Sequence, residues 1–353
     1  MNRVRRTPLF AERGSLCQYV AVVPFFELSD TAKLRRLRTL AESALAGYGL
    51  KNPSIVYHGF ETNLMYRVRT ESGQRYMLRL ASPGWRTLED LWSEAVWLEA
   101  LSRDTAIRAP RVIPNRDGRY VVQASVPGVP DPWCATLMTW VPGRLLGHFL
   151  HARNLEKMGA LFAELHHHGI TWTPPQGFTS RRFEHWLSRG EPNLLVGDGE
   201  ARVRSGEARR TLERMHTMVE DAYAAADQRD LRVIHCDLWH DNIKLHGNTL
   251  RPFDFEDTVL GYRAHDIAMA MLDLLEATDE EQYERLLRAF RAGYEVHLAW
   301  PDERIEPFQI GRLLWTLNWV AREEPEWLTE SVERHLPVFE LYEKTGRVRK
   351  PPV

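Results

Sequence analysis

The stretch Val233–Leu245 reads VIHCDLWHDNIKL, and a second stretch, Leu250–Asp257, reads LRPFDFED. In both, short apolar runs of strand type lead up to a polar loop edge. The first loop carries His235, Asp237 and Asn242; the second carries Asp254, twelve residues beyond Asn242. A carboxylate, an amide and a second carboxylate delivered to one edge make a site for a hard cation. Magnesium takes oxygen ligands, few of them from protein and the rest from phosphate and water. Asn242 and Asp254 suit that role as metal ligands. Asp237 is left to orient a hydroxyl and accept its proton during phosphoryl transfer. Taken singly, these residues say little. An aspartate in a loop is usually a turn or cap residue, and an isolated His235 would be structural. The joint spacing H-x-D-x-x-x-x-N, then D-F, is what selects chemistry over packing.

Such loops need a scaffold, and the flanking sequence outlines one. Residues 30–47 have amphipathic helical spacing, with Asp30 as N-cap and Gly47 or Gly49 as the stop. Short alternating runs follow at Ile55–Tyr57, Leu64–Arg69 and Arg75–Leu80, joined by tight turns such as Glu71-Ser-Gly, and read as antiparallel strands. Residues 87–102 return to helical spacing, and RYVVQASV and CATLMTWV are strand-like again, ending at Pro142-Gly143. Beyond Gly143 the spacing predicts helices over 154–168, 206–226, 265–276, 279–298 and 305–320, interrupted by short strands near 232–256. The polar stretch 188–206 reads as a loop. The expected fold class is therefore α+β, a strand-rich lobe followed by a mainly helical one.

Composition narrows the class further. The chain has 353 residues with 27% charged, 44% hydrophobic and 10% aromatic residues, enough to bury one large core or two ordinary ones. A net charge of −2 argues against a dedicated nucleic-acid binder. No stretch approaches the roughly 20 apolar residues of a membrane span. Cys17, Cys134 and Cys236 are odd in number and far apart, which fits a reducing cytoplasm better than a disulfide framework. The basic start MNRVRR lacks the apolar core of a signal peptide, so residues 1–29 read as an N-terminal extension.

The two loops resemble the catalytic and metal loops of the aminoglycoside phosphotransferase and choline kinase-like superfamily, which shares the protein-kinase fold. The resemblance spans roughly residues 30–340. It implies two lobes, a nucleotide-binding N-lobe over 30–139 and a catalytic, acceptor-binding C-lobe over 140–353. GFETNLMYRVRTESGQRYMLRL resembles the family's nucleotide hairpin, with the turn from Gly59 to Asn63 over the phosphates. Arg79 falls where kinases carry the phosphate-contacting lysine, and Glu94 in LWSEAVWLEAL matches the helix glutamate that pairs with it. LMTWVPGR resembles the hinge, so that backbone groups of Leu137, Met138 and Thr139 would hold adenine. MGALFAELHHHGI resembles the helix ending in Leu-His, and Asp266 in GYRAHDIAMAM would buttress the catalytic loop. By the same resemblance Asp237, His235 and Asn242 form the catalytic group, Asn242 and Asp254 hold Mg2+, and ATP is the donor.

Two departures stand out. The family usually reads His-Gly-Asp where this chain has His235-Cys236-Asp237, and a side chain is tolerable there only if the backbone does not need a positive φ. Arg79 replaces a lysine, exchanging a point charge for a fork. The expectation is a small-molecule kinase phosphorylating a hydroxyl of an amino alcohol, aminoglycoside or sugar-like acceptor, and cytoplasmic. The alternatives are a protein Ser/Thr kinase of the bacterial stress-response type, although no Ala-Pro-Glu follows Asp254, and a non-catalytic nucleotide-binding pseudokinase. A P-loop enzyme is excluded, since no G-x-x-x-x-G-K-[ST] occurs. Weaker signals are the triplet His166-His167-His168, which points in different directions on a helix, and Trp239, Trp315 and Trp319, which suit core packing or a cage for an ammonium group. Glu256 and Asp257 would add negative charge beside the substrate, and the Arg-rich 202–210 reads as a solvated helix face. Specificity is expected in 170–230 and 300–330, where no motif is readable.

Overall fold

The computed structural model describes residues 24–187, 190–197, 201–203, 206–302 and 304–350. Most of the extension read at 1–29, and Cys17 with it, lies outside them. Helix α1 (Asp30–Ala46) starts one residue later than its cap: the Ser29 hydroxyl, not Asp30, accepts the Ala32 N–H. Its face of Leu37, Leu40, Ala41, Ala44 and Leu45 is buried on an antiparallel sheet. That sheet comprises β1 (Ser54–Phe60), β2 (Asn63–Arg69), β3 (Arg75–Ala81), β4 (Val112–Ile113), β5 (Val122–Ala124) and β6 (Trp133–Thr139). The order is β1-β2-β3-β6-β4, with β5 also on β6. The two-residue period of β3 divides its labour: Leu78 and Leu80 enter the core under α1, while Met77 and Arg79 face the interlobe cleft.

Between β3 and β4 runs α2 (Leu88–Asp104), opened by a reciprocal capping box between Thr87 and Asp90. Its Trp97, Leu98 and Leu101 pack into the helical lobe's core, whereas the sheet and α1 form a second, separate core. The sequence division at residue 139 thus does not coincide with the division of the apolar cores, because α2 lies on the far side of it.

The helical lobe holds β7 (Arg144–Leu145), α3 (Ala152–Thr171), α4 (Glu207–Ala225), β8 (Arg232–Ile234), β9 (Ile243–His246), β10 (Thr249–Pro252) and β11 (Val259–Gly261). The chain continues through α5 (Arg263–Ala277), α6 (Glu280–Glu295), α7 (Glu306–Glu323) and α8 (Leu328–Thr345). Strands β10-β9-β7 form one small sheet and β11-β8 another. Helices α3 and α6 touch backbone to backbone: a methyl on Gly159 would overlap the Phe290 carbonyl, and one on Gly293 the Glu156 carbonyl. Helix α8 has no counterpart in the sequence reading. It contains Pro337, a residue that normally ends helices, and packing on α4 and α7 holds it.

Candidate active site

The loop that carries His235, Asp237 and Asn242 begins where β8 ends, and its first peptide is fixed from below. Cys236 donates its N–H to Asp266 Oδ1 at 2.7 Å, and Asp266 Oδ2 lies 3.0 Å from His166 Nε2. His166 Nδ1 in turn lies 2.9 Å from the Tyr294 hydroxyl. Burial alone would raise the Asp266 carboxyl, but His166 and the Cys236 N–H hold it below the usual range. The expected buttress is therefore present, and His166 belongs to it. Among the described residues no group of three or more His, Cys, Asp or Glu side chains is placed to hold a metal alone. His168 instead accepts from the Trp97 indole at 3.2 Å.

Cys236 sits at φ 68°, the left-handed region. The backbone does require positive φ here, so the side chain is carried at a cost rather than tolerated freely. Asp254 shares that conformation at φ 64°, one that aspartate accepts more readily. His235 differs from its expected role. It is fully buried, with Nε2 3.1 Å from the Phe253 carbonyl and Nδ1 accepting the Asp237 N–H at 3.4 Å. Burial pushes its pKa down, so a neutral ring ties the two loops together. It positions Asp237 and touches no cleft.

Asn242 donates both amide hydrogens to Asp237, one to its main-chain carbonyl and one to Oδ2, each at 2.8 Å. That fixes the amide and leaves Oδ1 as the atom able to take a cation. Asp254 opens into the cleft, yet the crowding protein and the nearby Glu256 push its carboxyl up to about 7 against the pull of Arg79. A carboxylate held at that disadvantage beside an amide oxygen fits a hard cation, with phosphate oxygens completing the shell. Asp237 is also raised, by burial first and then by Asp257, with Arg312 acting in the opposite direction.

Arg79 and Glu94 meet as a buried pair, each 3% exposed. Arg79 NH1 donates to Glu94 Oε1 at 3.1 Å and NH2 donates to Oε2. The guanidinium stays firmly protonated: burial pulls it down, but Glu94 and Glu256 more than offset that. Arg79, Glu94 and Asp254 line a cleft together with Met77, Met138, Trp140, Val141 and Lys244. Lys244 lies 4.8 Å from the centres of both the Trp140 and Phe253 rings and donates to the Val141 carbonyl at 3.2 Å.

The hinge segment is held in the sheet. Leu137 and Met138 are paired with β3 on one side and β4 on the other, and the Thr139 N–H is taken by the Arg111 carbonyl at 2.9 Å. Their N–H groups are committed to the sheet, as is that of Trp140, which donates to the Arg75 carbonyl at 3.1 Å. The Gly59–Asn63 turn is also engaged. A β-bulge lies between Tyr57 and Gly59, and Thr62 and Asn63 both donate to the Glu256 carboxylate across the cleft. Asp257 is held by Arg86 at 2.5 Å and Arg181 at 3.5 Å. Glu256 and Asp257 are therefore compensated anions rather than a free acidic wall.

A second, more enclosed cavity is lined by Asp237 together with Cys236, Asp257, Arg181, His265, Arg312 and Trp315. Arg181 and Arg312 fall within 170–230 and 300–330, the segments expected to set specificity, but no motif singled them out. Arg312 and Trp315 are a cation and a ring one turn apart on α7, a spacing shared by many surface helices. Trp315 is no open cage for an ammonium group, because Arg312 lies over its ring at 4.6 Å.

Solved structures with this fold include a microcompartment-associated aminopropanol kinase, 23% identical with a TM-score of 0.71, covering 88% of this chain and 99% of its own. An amicoumacin kinase, solved with AMP-PNP and Ca2+, is 16% identical with a TM-score of 0.72 and covers 92% and 98%. A choline/ethanolamine kinase family protein from Mesorhizobium loti is 17% identical with a TM-score of 0.54, covering 88% and 95%. At these identities the likeness is one of fold. No curated protein matches the chain. The sequence model of the phosphotransferase enzyme family matches residues 57–300, and with the two-lobed fold and paired cavities it places this chain in that family, as a phosphotransferase acting on an alcohol group.

Proposed function

We propose that this chain is an ATP- and magnesium-dependent kinase that transfers the γ-phosphate to a hydroxyl of a small molecule, with Asp237 as the catalytic carboxylate. One observation carries the reading: one pair of loops lines two cavities, with Asp254 on the cleft that holds Arg79 and Glu94 and Asp237 on the more enclosed one. Asn242 Oδ1 and Asp254 would hold the magnesium ion, which would supply positive charge to offset that of the phosphates. Arg79, pinned by Glu94, reaches α- or β-phosphate oxygens with its remaining donors, a charge-assisted contact. Asp237, oriented by Asn242 and the His235 ring, aligns the acceptor hydroxyl and takes up its proton. Catalysis of this kind is mostly positioning and electrostatics. The enclosed shape of the acceptor cavity supports a small molecule over a protein segment. Among the described residues no helix is long and apolar enough to cross a membrane.

The test is transfer from radiolabelled ATP to amino alcohols, sugars, aminoglycosides and a generic protein, by the parent and by Asp237→Asn. The isosteric change should keep ATP binding and lower turnover by about 10²-fold or more. Labelling of the protein alone, or equal turnover by the variant, would overturn this reading.

A further inference from the structure

The acceptor cavity holds a cation that the fold does not use. Arg312 projects from α7 into it with one face on Trp315, whose indole N–H is anchored on Glu191 at 3.2 Å. It is near enough to Asp237, Asp273 and His265 to bias their ionisation. Yet among the described residues no carboxylate or carbonyl pairs with its nitrogens. The other arginine of the cavity is spent: Arg181 lies 3.5 Å from Asp257 and 3.9 Å from Asp90, and donates to the Glu256 carbonyl. The carboxylate of Asp257 is compensated by Arg86 as well. A cavity built for a purely cationic acceptor would leave carboxylates open and keep guanidinium groups out. This one does the reverse, and the aromatic face that an ammonium group would seek is already covered by a guanidinium.

We infer that the acceptor carries a carboxylate besides the hydroxyl it presents to Asp237, and that the Arg312 fork receives it. The inference rests on the kinase reading above. A single uncommitted guanidinium matches one carboxylate in charge and in its two-pronged geometry. A phosphate dianion would need a second cation, which Arg181 cannot supply while it holds Asp257. Trp315 contributes by fixing the plane of the fork, so little ordering remains to be done when the ligand arrives.

A rival account gives Arg312 a purely electrostatic duty, holding the Asp237 carboxyl in its ionised form. Matched acceptors separate the two: serine against ethanolamine, homoserine against propanolamine, threonine against isopropanolamine, and glycerate against ethylene glycol. Each pair differs by one carboxylate. For the pair that the enzyme uses best, the acid should be favoured roughly ten- to a hundredfold in kcat/KM, the range a charge-assisted fork contact supplies. In Arg312→Met that ratio should collapse towards one, and Arg312→Lys should restore part of it. Thermal unfolding of each variant, with and without ATP, monitors folding. Preference for the decarboxylated member, or an unchanged ratio in Arg312→Met, would overturn the inference. So would equal loss on both members, the outcome that the electrostatic account expects. Magnesium-dependent ADP release with no transfer to any acid would also sink it, while leaving the kinase reading intact. Loss of ADP release as well would bring down both.

Discussion

Replacing Cys236 with glycine should stabilise the fold relative to replacing it with alanine, the reverse of the usual order. At an unstrained position, alanine is the more stable by about 0.4–1 kcal/mol, because glycine gives the unfolded chain extra freedom. Cys236 is at φ 68°, where a Cβ costs roughly 1–2 kcal/mol. Cys236→Ala keeps that cost and Cys236→Gly removes it. Both lose the same sulfur contact, 3.6 Å from His265 Nε2, so this term cancels in the comparison. Taking the middle of each range, the remainder favours glycine by about 0.8 kcal/mol, a few degrees or less in Tm for a chain of this size. Urea and thermal unfolding of the two variants, at one pH and without ligand, read this difference directly. If the alanine variant is as stable as the glycine variant or more so, the left-handed conformation carries no strain and the argument fails. Parallel kinetics should show the catalytic loop intact in both, since the Cys236 N–H that bonds Asp266 is a backbone group.

Arg79→Ala should weaken ATP binding or turnover far more than it lowers apo stability per unit of activity lost, and Glu94→Gln should do so less; equal ATP affinity in parent and Arg79→Ala would place the phosphate clamp elsewhere. Asp254→Ala should remove the magnesium dependence of nucleotide affinity, measured by calorimetry with and without the metal; an undiminished dependence would rule out Asp254 as a ligand. Asp273 is pushed up to about 6, mainly by burial, so it is protonated in the fold at pH values where the unfolded chain has lost the proton. Its contribution is present below about pH 4 and is lost as pH rises through 6. Asp273→Asn should therefore gain on the parent progressively from pH 4, by up to about 3 kcal/mol above pH 6, and parallel stability curves over that interval would contradict the assignment.

The candidate catalytic and metal loops were legible in the sequence because they are local. His235, Asp237, Asn242 and Asp254 fall on two strand–loop turns close together in the chain, and their spacing alone brings them to one edge. The buried Arg79–Glu94 pair was legible for a similar reason, since β3 feeds directly into α2. His235 was misread because spacing cannot tell a ring that faces a cleft from one that bonds a neighbouring loop carbonyl. That the hinge N–H groups are taken up by the sheet was not legible, because it depends on pairing with β4, a two-residue strand too short to leave a pattern. Arg312 was invisible because it acts from α7, far along the chain, and its meaning depends on Arg181 being engaged elsewhere. Cys236 was recognised as a departure, but whether it is strained is a dihedral angle that no residue type reports.

Helix α2 has its apolar side in the helical lobe and its Glu94 on the sheet's Arg79, and this bears on how the molecule comes apart. A cut at the lobe junction would not release two self-sufficient pieces: the N-terminal fragment would carry α2 with Trp97, Leu98 and Leu101 stripped of their surroundings, and the C-terminal fragment would have a hole where those side chains belong. In hydrogen exchange, the amides of α2 should share the protection of the large lobe, while those of β1 and β2 open on their own schedule. A nucleotide seated against Arg79 would then tie the more labile sheet to the slower-opening body, so that its arrival is read most strongly in the exchange of the strands and least in the helix that carries the glutamate.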